Sequence, residues 1–142
     1  MALARKHTSG LRRGTHADAA DVLRLAQRLI HRGGWSPQSP ALSPHGKPVA
    51  MLDDRAWSFS IWGAIARARY ELAATWMAGV RAGVILCAAV GVSPHGCLHL
   101  RRWENQPERD GADIDKAFEA AIWRAENPTS QPITGVLLDA TA

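Results

Sequence analysis

The sequence predicts a mainly α protein: a compact bundle of three to five helices with a Pro-rich loop or short hairpin between the first two. Three observations carry this. Apolar residues recur at three- and four-residue steps in several separate stretches. Capping residues precede those stretches, and Gly or Pro follows them. The chain has 142 residues, 46% of them hydrophobic, which suits one domain with a real core.

Residues 1–14 carry Arg5, Lys6, His7, Arg12 and Arg13 among small residues and read as a disordered basic arm. A single domain over 15–127 and a tail over 128–142 complete the expected organisation. Thr15-His16-Ala17-Asp18 looks like a capping sequence, with Asp where Glu or Gln is usual. Val22, Leu25, Ala26, Leu29 and Ile30 then form one apolar stripe, and Gly33-Gly34 ends the helix. Trp35 is expected to fold back on the core.

Pro37, Pro40, Pro44 and Pro48 exclude a regular helix over Ser36 to Met51. Ser43-Pro44-His45-Gly46 reads as a tight turn at the tip of a short hairpin ending in Val49-Ala50-Met51. The same tetrapeptide returns at Ser93 to Gly96, but its flanks do not match, so it marks two similar turns and no repeat.

The stretch from Asp53 to Arg69 is the predicted centre of the fold. Asp53 or Asp54 is the expected N-cap. Trp57, Ile61, Ala64, Ile65, Ala68 and Leu72 share one face. Gly63 costs about 1 kcal/mol against Ala in a helix, so it marks a place where another backbone comes close. A second stripe, Leu72, Trp76, Val80, Val84 and Cys87, continues to Val90, with Gly79 and Gly83 suited to a close helix crossing. The periodicity leaves open whether 53–90 is one helix or two. Ser93-Pro94 breaks it. Leu98 to Trp103 is a short element of either type, and Asn105-Gln106-Pro107 is a turn. Asp110 or Asp113 starts the last helix, with Ile114, Ala117, Phe118, Ala121, Ile122 and Ala125 inward and Trp123 at an edge. Asn127-Pro128 stops it. Ile133 to Leu138 suits a short strand, a surface-docked segment or a disordered tail.

The charge balance is basic, 17 Lys plus Arg against 13 Asp plus Glu, and all but three of the basic residues (Lys6, Lys47 and Lys116) are Arg. A net charge of +4 favours an acidic partner or nucleic acid without demanding either. Two cysteines make no disulfide framework, and the N-terminus has no apolar signal region, so a cytoplasmic location is expected. Leu72 to Val92 is long and apolar, but Arg81 near its centre costs on the order of 3 kcal/mol in a bilayer. A buried helix of a water-soluble domain is the expectation.

No nucleophile elbow, phosphate-binding Gly loop or metal-protease helix motif is present, and no cofactor is expected. Cys87, His95, Cys97 and His99 are the metal candidates: if 95–99 is extended, His95, Cys97 and His99 share a face, and zinc accepts such ligands. Cys97 with His95 or His99 is the one nucleophile–base candidate. Asp113 and Asp115 suit a helix N-terminus. The basic candidates for nucleic acid are Arg5, Lys6, Arg12 and Arg13 in the arm, with Arg24, Arg28, Arg67, Arg69 and Arg101-Arg102-Trp103. Six tryptophans in so small a chain are more telling, because Trp and Arg are enriched at protein-binding hot spots. Arg101, Arg102, Trp103, Trp62, Arg67 and Arg69 are the candidate partner-binding residues.

Three blocks, Leu23 to Trp35, Trp57 to Ala68 and Trp103 to Arg109, resemble in sequence and order an uncharacterised family of small actinobacterial and phage proteins. The family usually has a Cys in the second block, where this chain has Ser58 or Ser60, which weakens a thiol-based role there. The resemblance brings no activity; it implies a small accessory or host-interaction protein. The functional expectation is therefore a non-enzymatic accessory protein that binds a macromolecular partner, a protein first of all. A basic nucleic-acid-binding protein is the alternative, and a metal-dependent enzyme on the Cys/His cluster the second.

Overall fold

The computed structural model describes residues 17–95 and 98–128. The basic arm with Arg5, Lys6, Arg12 and Arg13, the expected cap at Thr15, the tail from Thr129, and Cys97 lie outside the described residues. Among those described, five helices and a two-stranded antiparallel sheet build the fold.

Helix α1, Ala19–Gly33, is started by Asp18 and not by the Thr15 box. The Asp18 side chain accepts from the Asp21 N–H and the Asp21 side chain accepts from the Asp18 N–H, both at 3.0 Å, a reciprocal box built from two short acids. The predicted stripe is the buried one, with Val22, Leu23 and Ala26 sealed from solvent. Gly34 ends the helix at φ 103, a conformation that L side chains rarely adopt.

The Pro-rich segment folds as the expected hairpin. The Ser43 N–H donates to the Lys47 carbonyl and the Val49 N–H to the Ala41 carbonyl, which closes the turn. Strand β1, Ala41–Leu42, also pairs antiparallel with β2, Ser58–Phe59, in the register Ala41 to Phe59 and Leu42 to Ser58. This corrects the sequence reading of the central helix. Residues 53–59 are not helical: Asp53 and Asp54 cap nothing, and the Asp53 side chain instead accepts from Arg55. Helix α2, Ile61–Glu71, begins at Ser60, whose hydroxyl accepts from the Gly63 N–H at 3.0 Å. A β-carbon on Gly63 would overlap the Pro40 carbonyl. The expected close backbone approach is therefore present, and the approaching chain is the hairpin.

Residues 53–90 hold two helices. Helix α3, Trp76–Val90, follows α2 after a tight corner and is capped by Thr75. Its buried side is Ala78, Gly79, Ala82, Gly83, Leu86 and Cys87. Of the predicted stripe, Trp76 and Val84 face outward and only Cys87 is fully buried. Gly83 lies against the Trp62 ring and Gly79 against the Arg69 side chain, which is the α2–α3 crossing expected from the two glycines. No described helix is long and apolar enough to cross a membrane.

Helix α4, Leu98–Glu104, and helix α5, Gly111–Glu126, complete the bundle. Asp110 and Asp113 form the second reciprocal capping box, so Asp110 is the cap and Asp113 its partner. Asn127 ends α5 as expected. Helix α1 packs on α2, α3, α5 and β2, and α3 packs on α5. Asp115 does more than complement a helix end: its Oδ1 takes Gln27 Nε2 at 2.9 Å and His31 Nε2 at 2.5 Å, tying α5 to α1. The hydrogen bond with His31 holds the Asp115 carboxyl below its ordinary range. Arg24 of α1 pairs with Glu126 of α5 at the other end.

Candidate interaction surface

The α2–α3 corner is built by local hydrogen bonds. The Ala73 N–H donates to the Tyr70 carbonyl at 3.1 Å and the Ala74 N–H to the Arg69 carbonyl at 3.0 Å. Ala73 sits at φ 51, the one described non-Gly residue with positive φ, a conformation that costs an L residue about 1 kcal/mol or more. The Thr75 hydroxyl accepts from the Ala78 N–H at 3.1 Å and starts α3 immediately. Arg69 Nη1 donates to the Ala74 carbonyl and ties the corner from behind. On this short scaffold three large side chains stand in solvent: Tyr70 at 57%, Trp76 at 70% and Met77 at 53% of full exposure.

The six predicted partner-binding residues are on two elements and do different things. Arg67 donates to the Met51 and Asp53 carbonyls at 3.0 and 2.8 Å and pairs with Glu71, so it straps the hairpin base to α2. Trp62 is half-buried against Gly83. Trp103 is half-buried beneath the Arg109 guanidinium, 3.8 Å from the ring centroid. Arg101 and Arg102 are exposed on α4. The tryptophans in solvent are Trp57, Trp76 and Trp123. Sequence reasoning missed the corner because Trp76 fits an inward stripe, and Tyr70 and Met77 carried no separate signal.

The metal candidates are not brought together among the described residues. Cys87 is buried in α3, and burial pushes its thiol above the ordinary range, against thiolate chemistry. His95 is exposed in a turn, where the Ser93 hydroxyl accepts from its N–H, as the Ser43 hydroxyl does from the His45 N–H in the matching tetrapeptide. His99 stands on a helix from Leu98 onward, so the alternation expected of an extended 95–99 does not reach it. No group of three described His, Cys, Asp or Glu side chains could hold a metal ion.

A buried carboxyl was also missed. Glu104, 1% exposed, accepts from Trp35 Nε1 and from the Ile61 N–H, both at 2.7 Å and both on Oε2. It fastens the segment after α1 to the start of α2. Its Oε1 is buried without a protein partner, and burial pushes the carboxyl up to about 7. The available signal was an acid four residues after Leu100, on the inward side once 98–104 is read as helix.

An open groove of about 620 Å³ lies between the hairpin turn and Trp57. A second, of about 390 Å³, lies where α1 begins, beside Val84 and Ile85 of α3. None of the six predicted residues lines either one.

A model of a family of unknown function, DUF6197, matches residues 14–124. The chain belongs to the DUF6197 family. No curated protein and no solved structure matches it. Within this DUF6197 chain the matched span includes the capping boxes, the corner, the hairpin groove and Glu104.

Proposed function

We propose that this protein is a non-enzymatic interaction module that presents the α2–α3 corner to a protein partner. The observation that carries this is the exposure of Tyr70, Trp76 and Met77 within eight residues on a hydrogen-bonded corner. Trp and Tyr bury large area at low conformational cost and dominate binding energy where they centre an interface. A scattered exposed apolar residue means little, but three on one corner resemble an interaction patch. The finer reading, a phage- or mobile-element-borne modulator of host machinery, rests on the resemblance of the three sequence blocks alone.

The test uses the full chain as bait in lysate of its native host, beside a Tyr70→Ala/Trp76→Ala variant of equal thermal stability. A protein retained by the wild type and lost, or weakened at least about tenfold, with the variant supports the proposal. Equal retention by both, or turnover of a small substrate with no retained protein, overturns it.

A further inference from the structure

We infer that the groove where α1 begins receives the chain's own segment Ile133 to Leu138, with aliphatic side chains laid on Val84 and Ile85 of α3 and the Asp139 carboxylate on Arg81. This site is separate from the α2–α3 corner and does not depend on it.

The groove is mostly apolar: Ala19 and Ala20 of α1, Val84 and Ile85 of α3, Ala125 of α5 and Pro128 just past its end line it. Val84 is 42% exposed and Ile85 is only half-buried. Aliphatic surface left in water at a concave site gains by being covered, roughly in proportion to the area removed. Two arginines also line the groove, Arg81 of α3 and Arg124 of α5. Arg81 is exposed and has no carboxylate partner among the described residues. The one lining carboxylate, Asp18, is already engaged in its capping box with Asp21.

The path of the chain selects the occupant. Pro128 lines the groove, so Thr129 leaves the described fold at the groove itself. Ile133 stands five positions after Pro128, and Val136-Leu137-Leu138 soon follow. Extended chain covers about 3.3 Å per residue, so this span reaches Val84 across a groove that Val84 and Pro128 share. A tether this short holds the segment at about millimolar local concentration, an advantage over any separate partner chain. Residues 1–16 join the fold at the same place, beside Asp18, but they carry Arg5, Lys6, Arg12 and Arg13, which Arg81 and Arg124 would repel. Residues 129–142 hold one charged side chain, Asp139, directly after the apolar run. Its carboxylate suits a charge-assisted hydrogen bond with the Arg81 guanidinium.

Methyl-labelled full chain tests this through nuclear Overhauser contacts. Cross-peaks are expected between Val84 or Ile85 and at least one of Ile133, Val136, Leu137 and Leu138, unchanged on dilution. Val84→Asp, a change at an exposed position, should abolish the contacts to Ile85, while unmoved methyl resonances of the buried Leu23 and Leu100 show that the variant is folded. Arg81→Glu should shift the Asp139 amide resonance, and the exposed charge control Lys116→Glu should leave it in place. Absence of contacts from 133–138 to Val84 and Ile85 overturns the proposal, as does their survival in Val84→Asp or an Asp139 resonance that Arg81→Glu does not move. So do contacts made instead by Leu3 or Leu11 of the basic arm, or contacts found only between differently labelled copies, which would give the groove to a second copy of the chain.

Discussion

Helices α1 and α3 are each fifteen residues long and pack on each other, yet they use apolar residues in opposite ways. In α1, Arg24, Gln27, Arg28 and His31 mark the outward side, and the large aliphatics Val22, Leu23, Leu29 and Ile30 turn inward. In α3 the only charged residue is Arg81; Ala78, Gly79, Ala82 and Gly83 turn inward with Leu86 as the one fully buried large side chain, while Trp76, Met77 and Val84 turn outward. An amphipathic helix declares its buried face by where its charges are. An apolar helix does not; there the buried face is set by how close the neighbours come, and Ala and Gly win where Trp62 and Arg69 press against the backbone.

The largest effect is expected in α1. Leu23→Ala empties a fully buried site and should cost about 2–5 kcal/mol in denaturant unfolding. A loss below about 1 kcal/mol would mean that α1 is not the centre of the core.

Next comes the tie that fastens the chain leaving α1 to the start of α2. Glu104 stands at about 7 in the fold against an ordinary 4.5. A raised carboxyl makes the folded chain bind the extra proton between those values, so this group's contribution falls as pH rises through 7 and is level above it. The swing is about 3 kcal/mol. Glu104→Gln keeps an acceptor for Trp35 and Ile61 without titrating. Its stability relative to wild type should therefore rise by about 3 kcal/mol between pH 4.5 and 8, read from urea unfolding at each pH. Parallel pH profiles for the two proteins would contradict the buried, unpaired Oε1.

How far the fold was legible follows the same division. Where polar residues mark a face, as in α1 and α5, the stripes were readable from the chain, and so were the ends of α5; the start of α1 was misplaced, because its box is built by Asp18 and Asp21. The hairpin was readable from its prolines, and Gly63 announced a backbone that turned out to be Pro40. The start of α2 was misread because Asp53 and Asp54 are good caps in isolation; pairing of Ser58–Phe59 with Ala41–Leu42, a contact distant in sequence, moved the cap to Ser60. The candidate surface was least legible. Exposure of Trp76 and Trp57 depends on which face of an apolar segment the neighbours cover, and no local pattern encodes that.

Ala82→Leu tests the small side of α3 directly. Ala82 is fully buried, so added methylenes must displace neighbours, at about 1–3 kcal/mol. A neutral or stabilising result would show slack on that side. Asp18→Ala removes a capping box from α1 and should cost about 1 kcal/mol; Thr75→Ala at the start of α3 should cost a similar amount. Equal losses would show that the two helices differ in their faces and not in their ends.

Trp76→Ala should have the smallest effect on folding. On α1 a large apolar residue is core, and truncation creates a cavity; on α3 Trp76 is 70% exposed, so truncation leaves none. Exposed positions away from caps and buried ties usually shift stability by less than about 0.5 kcal/mol, and the Thr75 cap beside it is untouched. A midpoint unchanged in thermal unfolding would leave Trp76 a side chain that the fold does not need. A loss above about 2 kcal/mol would place Trp76 in the core after all. It would also remove the contrast between the two helices and the reason for assigning the corner to a partner.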